Sequence, residues 1–324
     1  MPNCPFCFST KVLETLSVKE MYGGTRDVFH FAVCRDCGSA YITDFPENIS
    51  QYYEGYYSFQ DNGLTLEKLW WKKTIVSIYS RLVVRGGLSF LFRPFFRCPS
   101  PRQMQVLSPN LQAFLAVGAK SNARILDVGS GAGQFVKMMN TFGYDGATGI
   151  DPFLDETSER PYVRRSDLQS VTGPYDVILF NHSFEHLPDP EAAVRKCAEL
   201  LSPGGTVVIH IPNVHSPEFT KFKQDWWGLC APQHFALPSR KGIELLTARC
   251  GFKVVDAVST SRYDHYLYSD DYRRDIPDTD KNSVRRQLEN DTFDKKRRGA
   301  LSKLAYSLNK KHSGDWIAYY LMRN

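Results

Sequence analysis

The densest run of reactive side chains is NHSFEHLPDP, residues 181–190, in which His182, Glu185 and His186 fall within five positions of one another. Two imidazoles and a carboxylate can hold a divalent metal, move a proton near pH 7, or close a loop with hydrogen bonds. A further imidazole, His234, follows in the triplet Pro232-x-His234. A second reactive group lies near the amino end, where Cys4-x-x-Cys7 and Cys34-x-x-Cys37 are separated by 26 residues. Each C-x-x-C turn supplies two thiolates, and four thiolates complete the tetrahedral shell of Zn²⁺ without an open position, so Cys4, Cys7, Cys34 and Cys37 are read as a structural zinc site. The residues between the pairs alternate apolar and polar about Gly23-Gly24, which predicts a hairpin and hence a zinc ribbon over residues 1–45.

The chain of 324 residues is long enough for one large domain and a small one. Its 40 Lys and Arg against 35 Asp and Glu leave a net charge of +5, too little for a dedicated nucleic-acid binder. MPNCPFCFST has no basic region followed by an apolar run, and no window of 18 residues is continuously apolar, which predicts a cytoplasmic protein with reduced thiols.

What positions the central residues is a regular alternation beginning at Ala123. ARILDV reads as a strand running into Gly129-x-Gly131-x-Gly133 and then the helical QFVKMMNTFG; GATGID, YVRRSDL and the strongly apolar YDVILFN follow as strands. PEAAVRKCAELLSPGG reads as a helix closed by Pro203 and Gly204-Gly205, then TVVIHIP as a strand, SRKGIELLTARCG as a helix, FKVVDAVS as a sixth strand and DWIAYYLMR as a seventh. The predicted fold class is α/β: a doubly wound, seven-stranded, mostly parallel sheet of the Rossmann-like kind over residues 123–260 with 315–324. Residues 46–122 form a helical linker or lid, and 261–314 a basic helical insertion.

Gln134 stands where a dinucleotide fingerprint needs its last glycine or alanine, which disfavours NAD. The glycine turn still admits close backbone approach to a ligand, and the next helix start offers free N–H groups to a carboxylate. Asp151, at the end of the second strand, can accept from ribose hydroxyls, while Asp167 and Leu168 offer one polar and one apolar contact to an adenine.

In this order, ILDVGSGAGQF, GID, SDL, YDVILFNHSFEHLPDP and LLSPGGTVVIHIP resemble the motifs of class I S-adenosylmethionine-dependent methyltransferases. The resemblance implies that Asp127, Gly129, Gly131 and Gly133 surround the methionine part of the cofactor, that Asp151 binds its ribose, and that Asp167 and Leu168 bind its adenine. Asn181 opens the loop at the cofactor edge. WWGLCAPQHFALPSRKGIELLTARCGF is similar to a subfamily associated with methylation of sugars and surface glycans, and the four cysteines resemble those of zinc-containing deoxysugar C-methyltransferases, though their central spacing here is longer.

A zinc-peptidase reading of His182-x-x-Glu185-His186 needs both histidines on one helix, and Pro188 and Pro190 cut such a helix short. A Mg²⁺ or Zn²⁺-assisted transfer is a further alternative, and histidines that only shape the loop are another. The reading chosen is acid–base work by His186 supported by Glu185, with His182 and His234 as further candidates. The expected activity is O-methylation of a sugar in a surface glycan or its lipid- or nucleotide-linked precursor. The alternatives are C-methylation of a nucleotide-linked deoxysugar and a zinc-ribbon adaptor without turnover. YYEGYYSFQ, with Tyr56 and Tyr57, could provide a sugar platform, and LSFLFRPFFR could lie on a membrane surface. Residues 281–311 hold ten Lys or Arg against three acids, an expected contact for an anionic membrane face or a partner protein.

Overall fold

The computed structural model describes residues 3–53, 122–141, 144–154, 161–262, 264–290, 292–311 and 313–324. Tyr56, Tyr57, LSFLFRPFFR and most of the expected lid lie outside the described residues. The chain divides into two compact units. One comprises residues 1–54, 184–194 and 211–319, and the other residues 55–183, 195–210 and 320–324.

The amino-terminal strands are β1 (Val12–Lys19), β2 (Val28–Cys34) and β3 (Ala40–Ile42). β1 and β2 pair antiparallel from Lys19↔Val28 to Val12↔Cys34, so the expected hairpin forms and ends at a cysteine knuckle. A fourth strand comes from far along the chain: β9 (Ala236–Leu237) pairs antiparallel with β3 through Ala40↔Leu237 and Tyr41↔Ala236. Leu16, Phe31, Val33, Phe222, Trp226 and Leu237 are buried in one apolar cluster beneath this sheet. Two residues cannot carry a periodic signal, which is why the sequence pattern left β9 unseen.

The large sheet has the order β10-β11-β8-β7-β4-β5-β6 and is mostly parallel. Its strands are β4 (Ile125–Val128), β5 (Ala147–Asp151), β6 (Val163–Arg165), β7 (Tyr175–Asn181), β8 (Leu201–Pro212), β10 (Phe252–Thr260) and β11 (Trp316–Arg323). β4 pairs in parallel with β5 on one side and β7 on the other, so Ile125 lies beside both Ala147 and Val177. The unbroken apolar run of β7, Val177 to Phe180, is fully buried, as a central parallel strand covered on both faces requires. All seven expected strands form. β8 begins at Leu201 rather than after the glycines, and the jump in register from Tyr175↔Leu201 to Val177↔Thr206 shows Pro203-Gly204-Gly205 looped out inside it.

The helices that frame the sites are α1 (Gln134–Thr141), α2 (Pro190–Leu200), α3 (Pro217–Phe222) and α4 (Arg240–Arg249). The segment expected to be a basic helical insertion forms α5 (His265–Arg273), α6 (Val284–Glu289) and α7 (Lys295–Lys310). Among the described residues, no helix is long and apolar enough to cross a membrane.

Candidate functional site

The turn from β4 into α1 is built by backbone conformations open to glycine: Gly129, Gly131 and Gly133 have φ of 72°, 53° and 75°. A Cβ on Gly129 would lie 2.5 Å from the Ser183 Cβ, and one on Gly133 would lie 2.2 Å from Val163 Cγ2, so neither position admits a side chain. Ser183 Oγ donates to the Val128 carbonyl at 2.5 Å and so ties the end of β7 to the start of this turn. Asp151 braces it from β5: its Oδ2 accepts from Gly131 N and its Oδ1 from Phe153 N, both at 2.9 Å. Burial raises the Asp151 carboxyl, and the two amides oppose the rise.

Asp127 and the Ser130 hydroxyl are the less satisfied polar groups of this turn. Asp127 is buried, and its Oδ1 has no hydrogen-bond partner among the described residues. Burial, with the Asp151 charge added, raises its carboxyl far above the ordinary carboxylate range. A lone buried acid beside a cleared glycine turn suits a cationic ligand group, and the ammonium of a methionine moiety is one. S-adenosylmethionine therefore fits the residues at this end: Asp127 for the ammonium, the glycine turn for close approach, and the free lone pairs of Asp151 for ribose hydroxyls.

The adenine candidates are less alike than the sequence implied. Leu168 is buried, whereas Asp167 is exposed and its Oδ1 accepts from both the amide and the hydroxyl of Ser170 at 2.8 Å. Those bonds lower the Asp167 carboxyl and make it a turn residue in this structure. Asn181 Oδ1 meets His210 Nδ1 at 3.3 Å, and His182, at φ 54°, packs its ring against His210 with centroids 4.5 Å apart.

After Ser183 the chain makes a single 3-10 turn, Phe184–His186, before α2 begins at Pro190. His182 precedes this turn, so the i, i+4 helical presentation required of a zinc peptidase does not exist. Ligand atoms of Glu185, His186 and His234 instead lie within 4.8 Å of one another. His186 Nδ1 is 2.7 Å from the Gln233 carbonyl and 3.2 Å from the Tyr53 hydroxyl. His234 Nδ1 is 2.8 Å from the Gly228 carbonyl. A carbonyl only accepts, so in the neutral rings both Nδ1 atoms carry the proton and both Nε2 atoms carry the lone pair. The imidazoles meet edge to face, with centroids 4.8 Å apart. Glu185 is fully buried, with Oε1 3.9 Å from His234 Nε2, and burial pushes its carboxyl up to about 7 against the lowering effect of His186.

Where the sequence pairs Glu185 with His186, the Glu185 Oε1 lies 3.9 Å from His234 Nε2, and three groups that the sequence did not indicate border the two imidazoles. The Gln233 and Gly228 carbonyls set the two tautomers, and Tyr53 borders His186. A backbone carbonyl leaves no mark in residue type, and Tyr53 lies some 130 positions upstream of its partner.

At the amino end the four cysteines converge, with all four sulfurs within 4.8 Å of one another. The Cys4–Cys37 and Cys7–Cys34 sulfurs are 3.6 and 3.5 Å apart. These separations are too long for disulfides and match the ~3.7 Å edge of a tetrahedron with 2.3 Å Zn–S bonds. The two knuckles repeat one geometry: Phe8 N donates to Cys4 O at 2.9 Å and Gly38 N to Cys34 O at 2.8 Å, with Phe8 and Gly38 both left-handed.

An open, mostly parallel sheet with a glycine turn after one inner strand and acids at the ends of that strand and its neighbour defines a domain built to bind a nucleoside-containing cofactor. The family model for a methyltransferase domain matches residues 101–257, and the chain carries a methyltransferase domain there. Among curated relatives, the ubiquinone biosynthesis O-methyltransferase of Bordetella avium is 34% identical over 119 residues, 32% of this chain and 48% of the relative. Its counterpart from Xanthomonas oryzae pv. oryzae is 35% identical over 107 residues, 29% of this chain and 44% of the relative. The chain spans about half the length of the curated relatives it matches. A solved S-adenosylmethionine-dependent methyltransferase from Archaeoglobus fulgidus is similar over 72% of this chain and 99% of its own, at 20% identity and a TM-score of 0.44.

Proposed function

We propose that the protein transfers the methyl group of S-adenosylmethionine to a hydroxyl oxygen, and that Glu185, His186 and His234 promote loss of the hydroxyl proton. The observation that carries this reading is the lone-pair-bearing Nε2 of His186, held by its Nδ1–H bond to the Gln233 carbonyl. The sulfonium supplies an already activated methyl group. The chain must align the acceptor oxygen and remove its proton, which is the work of a neutral imidazole at pH 7. The oxygen forms a bond to the methyl carbon, the carbon–sulfur bond breaks with its electron pair passing to sulfur, and the proton leaves through the imidazole group.

A sugar hydroxyl of a glycan or its lipid- or nucleotide-linked precursor remains our preferred acceptor, on the likeness of the Trp226 to Phe252 region to sugar methyltransferases. The names of the curated relatives support oxygen as the atom methylated. They favour a second acceptor class, a hydroxyl on a precursor of ubiquinone, and disfavour carbon methylation. His186→Ala should lower turnover roughly 10²–10⁴-fold while leaving S-adenosylhomocysteine affinity within about twofold, measured by methyl-label transfer and titration calorimetry. Unchanged turnover would return His186 to a structural role, and no binding of S-adenosylhomocysteine by the native protein would sink the enzyme reading in favour of an adaptor.

We also read α7 as a contact for an anionic membrane surface. From Lys295 to Lys311 the chain has seven Lys or Arg and no acid, and four of them stand in the first turn, where the helix dipole disfavours cations. Lys296 and Lys303 are exposed seven residues apart, beside Leu304, which is 46% exposed. Lys296→Glu with Lys303→Glu should lower sedimentation with phosphatidylserine vesicles by tenfold or more, at about 1 kcal/mol per basic residue. Equal sedimentation of the variant would discard the contact.

A further inference from the structure

We infer that Glu218 and Asp315 form a buried site for the ammonium group of a small primary amine, walled by Trp227, His265 and Trp316. All five residues belong to the unit that contains residues 211–319, and the site stands independently of methyl transfer.

Both acids sit on backbone that is fixed by its own hydrogen bonds. Glu218 lies in the first turn of α3, whose N-cap Ser216 accepts from Phe219 N at 3.0 Å. Asp315 immediately precedes β11; its carbonyl accepts from Asn213 N at 2.7 Å, while Asn213 Nδ2 donates to the Gly314 carbonyl at 2.9 Å. Glu218 is 5% exposed and Asp315 1%. Asp315 Oδ2 accepts from His265 Nδ1, but its Oδ1 has no hydrogen-bond partner, and neither has Glu218 Oε2. The His265 ring stacks on Trp227 with centroids 4.8 Å apart and meets Trp316 at 4.3 Å. This wall reaches the surface, since Trp227 and Trp316 are both half-buried.

The charges around the pair do not balance. A third acid, Asp264, is taken by Arg262, whose Nε and Nη2 donate to its two oxygens at 3.0 and 2.6 Å. Lys221, one turn along α3 from Glu218, donates instead to the Tyr266 hydroxyl. Among the described residues, no Lys or Arg forms an ion pair with Glu218 or Asp315. Burial, followed by Asp315 and Asp264, pushes the Glu218 carboxyl up to about 9 against the opposing pull of Lys221. At neutral pH Glu218 therefore keeps its proton, and a cation that enters takes the proton's place.

An unpaired carboxylate oxygen needs a hydrogen-bond donor as well as a charge. A primary ammonium brings one charge and three N–H groups, enough for Glu218 Oε2 and Asp315 Oδ1 together. A quaternary ammonium brings the charge without donors, and a neutral hydroxyl brings a donor without the charge. Among the described residues, these acids do not gather three ligand atoms within 4.8 Å of one another, so they lack the oxygen shell of a divalent ion. The indole and imidazole walls make an uncompensated carboxylate costly and its pairing with a cation correspondingly favourable.

The test titrates the full chain with methylammonium chloride between pH 7 and 9, by thermal melting and by calorimetry in two buffers of different ionisation enthalpy, with ionic strength held by sodium chloride. The expected result is saturable binding of one methylammonium per chain, with a melting temperature that climbs with its concentration. A cation favours the ionised carboxyl, so binding should release close to one proton near pH 7, and affinity should rise about tenfold per pH unit until Glu218 is ionised beforehand. Tetramethylammonium should bind roughly tenfold more weakly or not at all. Glu218→Gln removes the charge and keeps the volume; it should lose tenfold or more in methylammonium affinity, and all of the proton release, with circular dichroism unchanged. Asp315→Asn supplies a second variant with the same expected loss of affinity. Glu289→Gln, at an exposed acid paired with Arg286, should bind as the native protein does. Equal responses to methylammonium, tetramethylammonium and sodium, or undiminished binding by the folded variants, would remove the site and leave Glu218 and Asp315 as buried acids that hold a proton.

Discussion

Asp127→Asn is expected to stabilise the ligand-free protein and to weaken its hold on S-adenosylhomocysteine, two effects of opposite sign from one substitution. The acid is buried with Oδ1 unpaired, and its carboxyl is raised by burial and by Asp151. A group whose folded pKa lies above its unfolded value contributes stability in full below the unfolded value and loses it as pH rises toward the folded one. The ligand-free protein should therefore weaken as pH rises from about 4 through the neutral range, and the Asn variant should lack that slope. At pH 8 the variant should be about 1–3 kcal/mol more stable by denaturant unfolding, the size of an uncompensated buried polar group.

Binding reverses the balance. An ammonium placed against Asp127 favours its charged form, so complex formation should release the proton, and affinity should rise with pH until the carboxyl is ionised before binding. Without the charge the variant should bind 30-fold or more weakly, in line with the 2–5 kcal/mol lost when one member of a buried charge pair is removed. Calorimetry in two buffers of different ionisation enthalpy counts the released protons. Equal affinity and equal proton release in the two proteins would show that the methionine ammonium sits elsewhere.

How far these sites could be read beforehand follows from the range of the interactions that make them. The β7 run Val177 to Phe180 and the glycine turn announce themselves because burial on both faces and positive φ restrict residue type at each position. The cysteine pairs are equally visible, since a C-x-x-C turn brings its two sulfurs together by local geometry. His234 was marked only as a possible neighbour, and its convergence with Glu185 and His186 depends on the loop before β9, whose two-residue strand has no pattern of its own. The carbonyls of Gln233 and Gly228 decide the tautomers, and a carbonyl is present at every residue. Asp167 carries a local duty that the sequence does not separate from ligand binding: it is an acid at a strand end whose Oδ1 accepts from Ser170.

Removing metal from the cysteine cluster should have the largest effect on the ribbon itself. Cys4 and Cys34 are fully inaccessible, and the knuckles are closed by single amide bonds to their carbonyls. The Cys4 thiol and Ser39 lower Cys37 to about 5, while burial raises Cys7 to about 11. A bound zinc would replace these unequal thiols with four equivalent bonds. Structural zinc contributes roughly 10–16 kcal/mol in isolated fingers, but here Leu16, Phe31, Val33, Trp226 and Leu237 give the sheet a core of its own, so loss should be partial rather than complete. Cys4→Ser with Cys34→Ser should reduce zinc from about one per chain to near none and lower the melting temperature by more than about 10 °C. Trp226, buried in the same cluster as Phe31 and Leu237, should shift its fluorescence to the red as that core opens. A native protein that contains no zinc, or a double variant that melts with the wild type, would mean that the four thiols are packed as thiols and that the β1–β2 hairpin holds without an ion.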